Sequence, residues 1–326
     1  MSGTSAGESR AGVPLTNLDQ SLFDGAGATK RDLVEYLDAV HDRIIPVLED
    51  RPLSVIRVHR GQEAFMQKNV PKYAPPWLPR VDVWAEASHR NVSYALCNDR
   101  RTLIWFANQR AIEYHPTLSR TERPDRVTHL VLDLDPPAGE PFHAVVAVAR
   151  LVHQALDDAG LQGALKTSGA KGLHVFVPID ERTSTEDAAA ATRAIAARIE
   201  MLDPAIATTA FMKEDRAGKV FVDATRAGGA TVVAAYSPRA RPGVPVSFPL
   251  PWARLDDVTP ADFTLFSALE QLDGHDPWSE LMPEPQTLPA DLVEEGHRIA
   301  PARVQAMHEG KRRARARKQA DPPAIS

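Results

Sequence analysis

Two aspartates that stand two residues apart at the end of an apolar run are the clearest candidates for chemistry in this sequence. The run HLVLDLD spans 129–135, carries Asp133 and Asp135, and is followed at once by two prolines. Such a run indicates a strand, in which residues i and i+2 project from the same face. Neighbouring carboxylates repel each other unless a cation lies between them. The pattern therefore predicts a site for a divalent cation, because magnesium and manganese prefer carboxylate oxygens.

A third carboxylate ends a second apolar run. Residues 220–223 read VFVD, which places Asp223 at the end of the run, and the preceding segment carries the cation Arg216. Acids on separate strands, with cations beside them, are the groups that metal-assisted phosphate chemistry requires.

A glycine-rich turn lies between the two acidic strands. Residues 166–178 read KTSGAKGLHVFVP, with Lys171 between two glycines and with Ser168 before it. Glycines allow a tight turn that brings backbone amides and the ammonium group to a phosphate. The spacing is not that of a Walker P-loop. His174 follows the turn and opens the next predicted strand.

Other cations are candidates for phosphate binding elsewhere in the chain. Thr29 is predicted to cap a helix that begins at Lys30, and helix N-termini attract phosphate. In the segment SPRARP, Arg239 and Arg241 flank Ala240, and these two arginines could clamp phosphates, each through two hydrogen bonds.

Residues 53–68 are predicted to form two strands around a turn at Gly61. They carry Arg57, Phe65 and Lys68. An aromatic residue between cations suits a strand of nucleic acid, with a base stacked on the ring.

Apolar periodicity predicts the remaining elements. The expected helices cover 142–159 and 184–202, and the expected strands include 94–96, 102–106 and 231–236. A helix after residue 106 would be stopped at 114–116.

The composition is that of a globular protein. The 326 residues are 43% hydrophobic and 25% charged, and no apolar run approaches the roughly 20 residues that cross a bilayer. No signal peptide opens the chain, and the single cysteine, Cys97, fits a reducing cytosol, so we expect a cytoplasmic location. The net charge of −5 is mildly unfavourable for nucleic-acid binding, although residues 311–318 are strongly basic.

Three motifs, in this order along the chain, resemble those of the archaeo-eukaryotic primase superfamily. They are DLD at 133–135, SGAKGLH at 168–174 and RAGKVFVD at 216–223. The similarity is greatest to the polymerase domain of bacterial ligase D and to its stand-alone actinobacterial relatives of the primase-polymerase C type. It runs from about Leu15 to about Asp273.

The resemblance implies roles for individual residues. Asp133, Asp135 and Asp223 correspond to the catalytic metal ligands, for two manganese or magnesium ions. The residues that correspond to contacts with the incoming nucleotide are Ser168, Lys171, His174, Arg216, Arg241 and, near the sugar, His115. The candidates for DNA contacts are Lys30, Arg57, Phe65 and Lys68, of which Phe65 matches the platform for the template base.

The resemblance also implies an activity. It is template-dependent extension of a primer 3′-end on gapped or broken DNA during repair, including non-homologous end joining. The substrates would be ATP, GTP and the other nucleoside triphosphates, in preference to deoxynucleotides. The partners would be primer-template or gapped DNA and a separate DNA ligase, with no membrane, and the protein would be a nucleoid-associated monomer.

Two positions depart from the family pattern. One of two lysines expected to bind a 5′-phosphate is replaced by Gln20, whereas Lys30 matches the other. A second platform aromatic is replaced by Met66. These changes bear on capture of the 5′-phosphate and on base stacking.

The expected fold is α+β, with a mostly antiparallel central sheet flanked by helices and a smaller N-terminal lobe. We expect a disordered leader at 1–14, a catalytic domain at 15–290 and a polar, basic tail at 291–326. Within the catalytic domain, the N-terminal lobe would cover about 15–120 and the metal-binding core about 121–290.

Three other interpretations compete with this one. The acids could simply cap turns, with the lysines solvated. Phosphatases of the haloacid dehalogenase type also begin with a DxD after an apolar strand, and in them the first aspartate is the nucleophile. That family usually has Thr or Val next, whereas Pro136 follows here. A non-catalytic module that binds DNA ends is the third.

Overall fold

The N-terminal part of the chain folds as three helices and an antiparallel sheet. The computed structural model describes residues 8–59, 61–85, 89–139, 141–228 and 230–302. Strand β3 lies inside this N-terminal sheet and pairs with β4, β6 and β7. The elements are β1 (Ser9–Arg10), β2 (Val13–Pro14), α1 (Lys30–Ala39), α2 (His41–Leu48), β3 (Leu53–Arg57), β4 (Phe65–Gln67), β5 (Arg80–Ala85), β6 (Arg90–Ala95), α3 (Arg100–Asn108) and β7 (Ala111–Pro116).

The rest of the molecule consists of a six-stranded central sheet and the helices around it. The strand order of this sheet is β11-β12-β8-β10-β9-β13. Its pairs are antiparallel except for β11 with β12. The elements are β8 (His129–Asp135), α4 (Phe142–Asp158), β9 (Ala164–Thr167), β10 (Leu173–Pro178), α5 (Thr185–Leu202), β11 (Ala207–Thr208), β12 (Val220–Asp223), β13 (Pro249–Leu250), α6 (Ala268–Leu272), α7 (Pro277–Leu281) and α8 (Ala290–Arg298). The predicted α+β class, with a mostly antiparallel central sheet, is confirmed.

Local sequence signals account for the helix boundaries. Thr29 caps α1 in a reciprocal hydrogen-bonded box with Asp32, and Ser184 caps α5 through the amide of Asp187. The apolar stripe of α4 is buried against the central sheet, and the alanine-rich face of α5 is buried beside it. The predicted helices at 142–159 and 184–202 are therefore confirmed.

Helix α8 extends the folded unit beyond the predicted boundary at 290. It packs on α5, where Gly296 approaches the carbonyl of Ala190 so closely that a Cβ would overlap it. Leu292 is buried in the same interface. Residues 303–326, which include the basic run 311–318, lie outside the described residues.

Two predicted strands and one predicted helix end are wrong. Residues 102–106 belong to helix α3, which Asp99 caps. The strand prediction failed because the apolar side chains of this segment are buried on all sides and give no periodic signal. The segment 114–116 does not stop a helix but ends strand β7. Residues 231–234 run beside β7, with one bridge from Thr231 to Thr117 and backbone hydrogen bonds from Val232 and Ala234, but form no strand, and residues 235–236 form a turn.

The predicted disordered leader is also wrong in part. Residues 8–14 contain the β1–β2 hairpin, in which Val13 is buried, whereas residues 1–7 lie outside the described residues. Buried apolar side chains of both sheets belong to one connected core. Within the described ranges, no helix is both long and apolar enough to span a membrane.

Candidate active site

A row of four polar side chains crosses the central sheet. Asp223 of β12 pairs with Asp133 of β8, Asp133 pairs with His174 of β10, and His174 pairs with Lys166 of β9. Side chains opposite each other on neighbouring antiparallel strands point to the same face and lie close together. The sheet register thus brings two of the three predicted acids and the predicted histidine into contact distance.

Hydrogen bonds connect this row and fix the histidine. His174 Nε2 donates to Asp133 Oδ1 at 3.2 Å, and Lys166 Nζ donates to His174 Nδ1 at 2.9 Å. Lys166 Nζ also donates to Ser247 Oγ at 2.7 Å. Because Nδ1 accepts, the imidazole carries its proton on Nε2 and orients one oxygen of Asp133.

Burial and neighbouring charged groups together determine the charge states along the row. Burial and the nearby Lys166 lower the pKa of His174 to about 4, so the imidazole is neutral at pH 7. Burial, with Arg239 nearby, also holds the pKa of Lys166 well below its ordinary value. Burial alone would raise the pKa of Asp133, but His174 and Arg226 outweigh burial and keep it below its usual value. Asp133 is therefore an anion that two donors stabilise.

Arg226 connects the two acids, and the sequence analysis did not select it. Its Nη2 lies 2.8 Å from Asp133 Oδ2 and 3.3 Å from Asp223 Oδ2. The other oxygen of Asp223 accepts from the amide and the hydroxyl of Thr225, at 2.8 and 2.6 Å. A guanidinium group thus occupies the space between the two carboxylates.

Asp135 lies at the exposed rim of the site. Its Oδ2 is 3.6 Å from Arg216 Nη1, and 59% of its side chain is exposed. Burial and the neighbouring charge of Asp133 raise the pKa of Asp135. Arg216, whose guanidinium lies 3.8 Å from the centre of the Phe221 ring, is therefore held beside the acids.

The donor set fits a hard divalent cation, although the acids are not gathered around one point. In the part of the chain that the structure describes, no three His, Cys, Asp or Glu side chains are close enough to coordinate one ion. The Oδ2 atoms of Asp133 and Asp223, however, face the same position, which a cationic group already occupies. Carboxylate oxygens directed at one cation are the ligands that magnesium and manganese prefer.

The glycine turn packs against the end of β8. Gly169 has φ +65°, and a Cβ there would lie 2.6 Å from Arg239 Cγ, so only glycine fits. A Cβ at Gly172 would overlap the carbonyl oxygen of Leu134, between the two aspartates of β8. The hydroxyl of Ser168 is buried and accepts from the amides of Ala170 and Gly172, at 3.2 Å each. The turn is thus fixed next to the acids.

Lys171 and Arg241 lie together on the surface. Both are exposed and line one cleft of about 400 Å³. Two cations on a shared cleft provide a site for an anion.

His115 belongs to a buried ionic cluster. Its Nε2 donates to Glu113 Oε2 at 2.8 Å, and Arg239 Nε lies 2.9 Å from the same oxygen. Burial lowers the pKa of His115. Burial would raise the pKa of Glu113, but His115 and Arg239 lower it to about 2. Arg239 also donates to the carbonyl of Ser168, so it links His115 to the glycine turn.

The candidates for DNA contacts differ in exposure. Phe65 and Lys68 are exposed at β4, and His59 lies 5.1 Å from the Phe65 ring centre. Arg57 is 4% exposed and binds the carbonyl of Gln109 and the side chains of Gln67 and Tyr73. The structure therefore does not present Arg57 to a ligand, because the side chain is buried and its Nε and Nη1 donors are used within the fold.

Lys30 is buried as well, contrary to its expected role on the surface. It is 3% exposed, and its Nζ donates to the carbonyl of Thr16. Burial and the nearby Arg110 lower its pKa to about 8. In this arrangement the ammonium group is not available to a 5′-phosphate, whereas Gln20 lines an open cavity of about 680 Å³ next to it.

Lys166, Arg226 and Glu113 belong to the site although their sequence motifs did not indicate it, whereas Arg239 was expected there only as a phosphate-binding partner of Arg241. Arg226 stands three residues after Asp223, so proximity to a selected residue was the available signal. Lys166 and Glu113 lie in the short strands β9 and β7, and only strand register brings them to the site.

The fold and the site define a class when they are compared with known proteins. The structure of the polymerase domain of Mycobacterium tuberculosis ligase D in complex with DNA is similar, with a TM-score of 0.76 and 35% sequence identity, over 82% of this chain and 97% of that one. The fold and the site therefore place the chain in the class of nucleotidyltransferases that have a polymerase domain.

The family follows from sequence matches. The family model "LigD, primase-polymerase domain" matches residues 29–278, and the chain belongs to this family. The multifunctional non-homologous end joining DNA repair protein LigD of Mycobacterium tuberculosis (strain ATCC 25618 / H37Rv) is 38% identical over 78% of this chain and 34% of its own length. The bifunctional non-homologous end joining protein LigD of Bacillus subtilis (strain 168) is 31% identical over 86% of this chain and 46% of its own length. The chain spans about a third to a half of these relatives.

Family membership decides between the competing interpretations. The resemblance found in the sequence is confirmed, and the chain is an enzyme of the nucleotidyltransferase class. The phosphatase and the non-catalytic module are not supported. In the structure, Asp133 is bonded to His174 and Arg226 on both oxygens, which does not suit a free nucleophile.

Proposed function

We propose that this protein is a template-dependent polymerase that extends a primer 3′-end on gapped or broken DNA during non-homologous end joining. The substrates are nucleoside triphosphates, with ribonucleotides preferred. The relatives named above carry end joining in their names, and the similar polymerase domain is in complex with DNA. A separate DNA ligase and a nucleoid location belong to the same proposal.

One observation carries this proposal, namely the row of Asp223, Asp133 and His174 across three paired strands. Each acid uses one oxygen for a fixed hydrogen bond and directs the other to a shared cation position. Preorganised charges of this kind are what phosphoryl transfer requires, because the reaction depends mainly on positioning and on charge neutralisation.

We propose that Asp133, Asp135 and Asp223 hold two divalent ions, manganese or magnesium. When bound, such ions polarise the phosphoryl group and lower the pKa of the attacking hydroxyl. His174 keeps one oxygen of Asp133 oriented, and Lys166 keeps His174 in the required tautomer. Arg216 balances charge at the rim beside Asp135.

The nucleotide would lie across the glycine turn. Lys171 and Arg241, on one exposed cleft, are proposed to bind its phosphates, and the buried Ser168 keeps the turn in shape. His115, held by Glu113, is proposed to lie near the sugar. Phe65 on β4 and Lys68 directly after it, both exposed, would contact the template strand.

A primer-extension assay tests the proposal. Extension of a primer on a gapped template with ATP or dATP, and with Mn²⁺ or Mg²⁺, should be active in the wild type and faster with ATP. Asp133→Asn and Asp223→Asn should lower the rate by on the order of a thousandfold, since each removes a charge that the transition state requires. Asp256→Asn is the matched control, because Asp256 forms a surface ion pair with Arg150. Extension by Asp133→Asn at the control's rate would refute the proposal.

A further inference from the structure

Arg226 occupies the position that a divalent ion would need. Its Nη2 contacts the Oδ2 atoms of Asp133 and Asp223, at 2.8 and 3.3 Å. The Oδ1 atoms of the two acids are bound to His174 and Thr225. The two oxygens that remain for a metal ion are therefore the two that Arg226 holds.

We propose that Arg226 is an internal counter-ion that competes with the divalent ion and is displaced when the ion binds. The proposal rests on the function proposed above and adds a mechanism that controls how much ion the site requires. A guanidinium group and a divalent ion cannot share the space between two carboxylates, because they repel each other and need the same oxygens.

The surroundings of Arg226 are compatible with its displacement. Its Nε is buried without a hydrogen-bond acceptor, so the present position leaves one donor unsatisfied. Its side chain is nevertheless 34% exposed, which leaves a route toward solvent. The residue lies on the short 3-10 turn Arg226–Gly228, directly after the metal-binding strand β12.

The counter-ion has a second consequence for the ion-free protein. Asp133 and Asp223 are opposite neighbours on paired strands, and two such carboxylates repel each other. Arg226 removes this repulsion while no ion is present. Loss of the arginine should therefore destabilise the ion-free protein and favour the ion-bound one, whereas loss of a merely structural arginine would destabilise both.

Binding of Mn²⁺ alone, without nucleotide or DNA, is the direct test. Free Mn²⁺ is measured by electron paramagnetic resonance during titration of the wild type, Arg226→Gln and Arg226→Lys. Arg226→Gln should bind Mn²⁺ at least about tenfold more tightly, because a competing unit charge has been removed. Arg226→Lys, which keeps the charge but cannot bridge both acids as a planar fork, should lie between the two. The control is Arg182→Gln, since Arg182 is 80% exposed and pairs with Asp180.

Melting temperatures with and without Mn²⁺ provide a second readout. Without the ion, the melting temperature of Arg226→Gln should be lower than that of the wild type. Addition of Mn²⁺ should raise the melting temperature of Arg226→Gln by more than it raises that of the wild type. Mn²⁺ affinity of Arg226→Gln equal to or weaker than that of the wild type would overturn the proposal. If Arg226→Gln did not bind Mn²⁺ more tightly but Asp133→Asn was inactive in primer extension, only the proposed role of Arg226 would be refuted. If Asp133→Asn extended primers normally, the polymerase proposal itself would fail.

Discussion

Lys166 supports the site without touching either acid. It is fully buried, and it donates to His174 and to Ser247. A buried polar chain of this kind is rigid only when every member has its partner. Lys166 is therefore a positioning residue, which acts on Asp133 through His174.

Lys166→Met tests this role. It leaves His174 Nδ1 and the Ser247 hydroxyl without their donor, so we expect the free energy of unfolding to fall by about 1–3 kcal/mol. Denaturant unfolding measures this change. Primer extension should also slow while the KM for the nucleotide changes little, since Lys166 does not contact it in our proposal. A double-mutant cycle with His174→Gln should show coupling, and strict additivity would contradict the role.

His129, at the other end of β8, makes the fold sensitive to acid. Burial, with Arg51 and Arg120 nearby, lowers its pKa from 6.5 to about 3. The folded state therefore binds this proton less readily than the unfolded state, and stability decreases as the pH falls below 6.5. The slope from this residue alone is about 1.4 kcal/mol per pH unit until the pH approaches 3.

The measurement is unfolding by urea across this pH range. His129→Gln, which keeps a hydrogen-bonding side chain but cannot titrate, should flatten the profile, and His153→Gln on the surface should not. An unchanged profile in His129→Gln would show that other groups cause the acid sensitivity.

For individual residues, the sequence predicted which acids and which histidine belong to the site better than it predicted the residues that they contact. Asp133, Asp135, Asp223 and His174 were selected because acids and a histidine end or open apolar runs. Lys166 and Arg226 were missed because the first depends on the pairing of β9 with β10 and the second on a turn after β12. Lys30 and Arg57 were selected as DNA contacts although both are buried, and burial of a single cation cannot be read from a short motif.

Among the elements, the turn before β10 depends on two glycines, Gly169 and Gly172. Gly172 lies against the carbonyl of Leu134, in the strand that carries Asp133 and Asp135. Gly172→Ala should force β8 and β10 apart at this end. We expect it to destabilise the protein by about 1–3 kcal/mol and to impair extension more than its stability cost explains. Gly139→Ala is the control, because a Cβ there meets nothing within 4 Å although its φ of +89° brings strain.

Thermal melts and primer extension measure both effects. Equal stability loss in the two variants would show that the close approach of Gly172 is unimportant.

Helices with an apolar stripe and short apolar strands bounded by turn residues were predicted, whereas a helix whose central residues are all buried was not. Helices α4 and α5 and strands β8, β10 and β12 follow from their patterns. Helix α3 was mistaken for a strand because Leu103 to Ala107 are all buried and show no period. The segment 231–236 has strand-like residues, but a turn at 235–236, where Tyr236 has φ +66°, ends it after one bridge and two backbone hydrogen bonds to β7.

For the whole molecule, the two sheets have different tasks. The central sheet carries the acids, whereas the N-terminal sheet exposes Phe65 and Met66 on β4 and Lys68 directly after it. The net charge of −5 makes any contact with DNA dependent on such local features. The two-lobe division near residue 120 remains a proposal about folding units.

DNA binding as a function of salt tests the exposed surface on β4. Phe65→Ala should weaken binding of primer-template DNA through loss of base stacking, by about 1–3 kcal/mol, with an unchanged salt slope. Lys68→Ala should lower the slope of log K against log salt by about 1, since one phosphate contact is lost. Fluorescence anisotropy at several salt concentrations distinguishes the two. Lys72→Ala, another surface lysine, is the control, and wild-type behaviour of both variants would remove β4 from the interface.

Because the row crosses the central sheet, enzymatic activity also depends on the correct alignment of its strands. Successive residues in a strand face opposite sides, so a slip of β8 by a single residue would turn both of its aspartates away from Asp223 and His174. Folding intermediates with misaligned strands would therefore be completely inactive rather than weakly active. Recovery of enzymatic turnover during refolding should coincide with the last step of sheet formation.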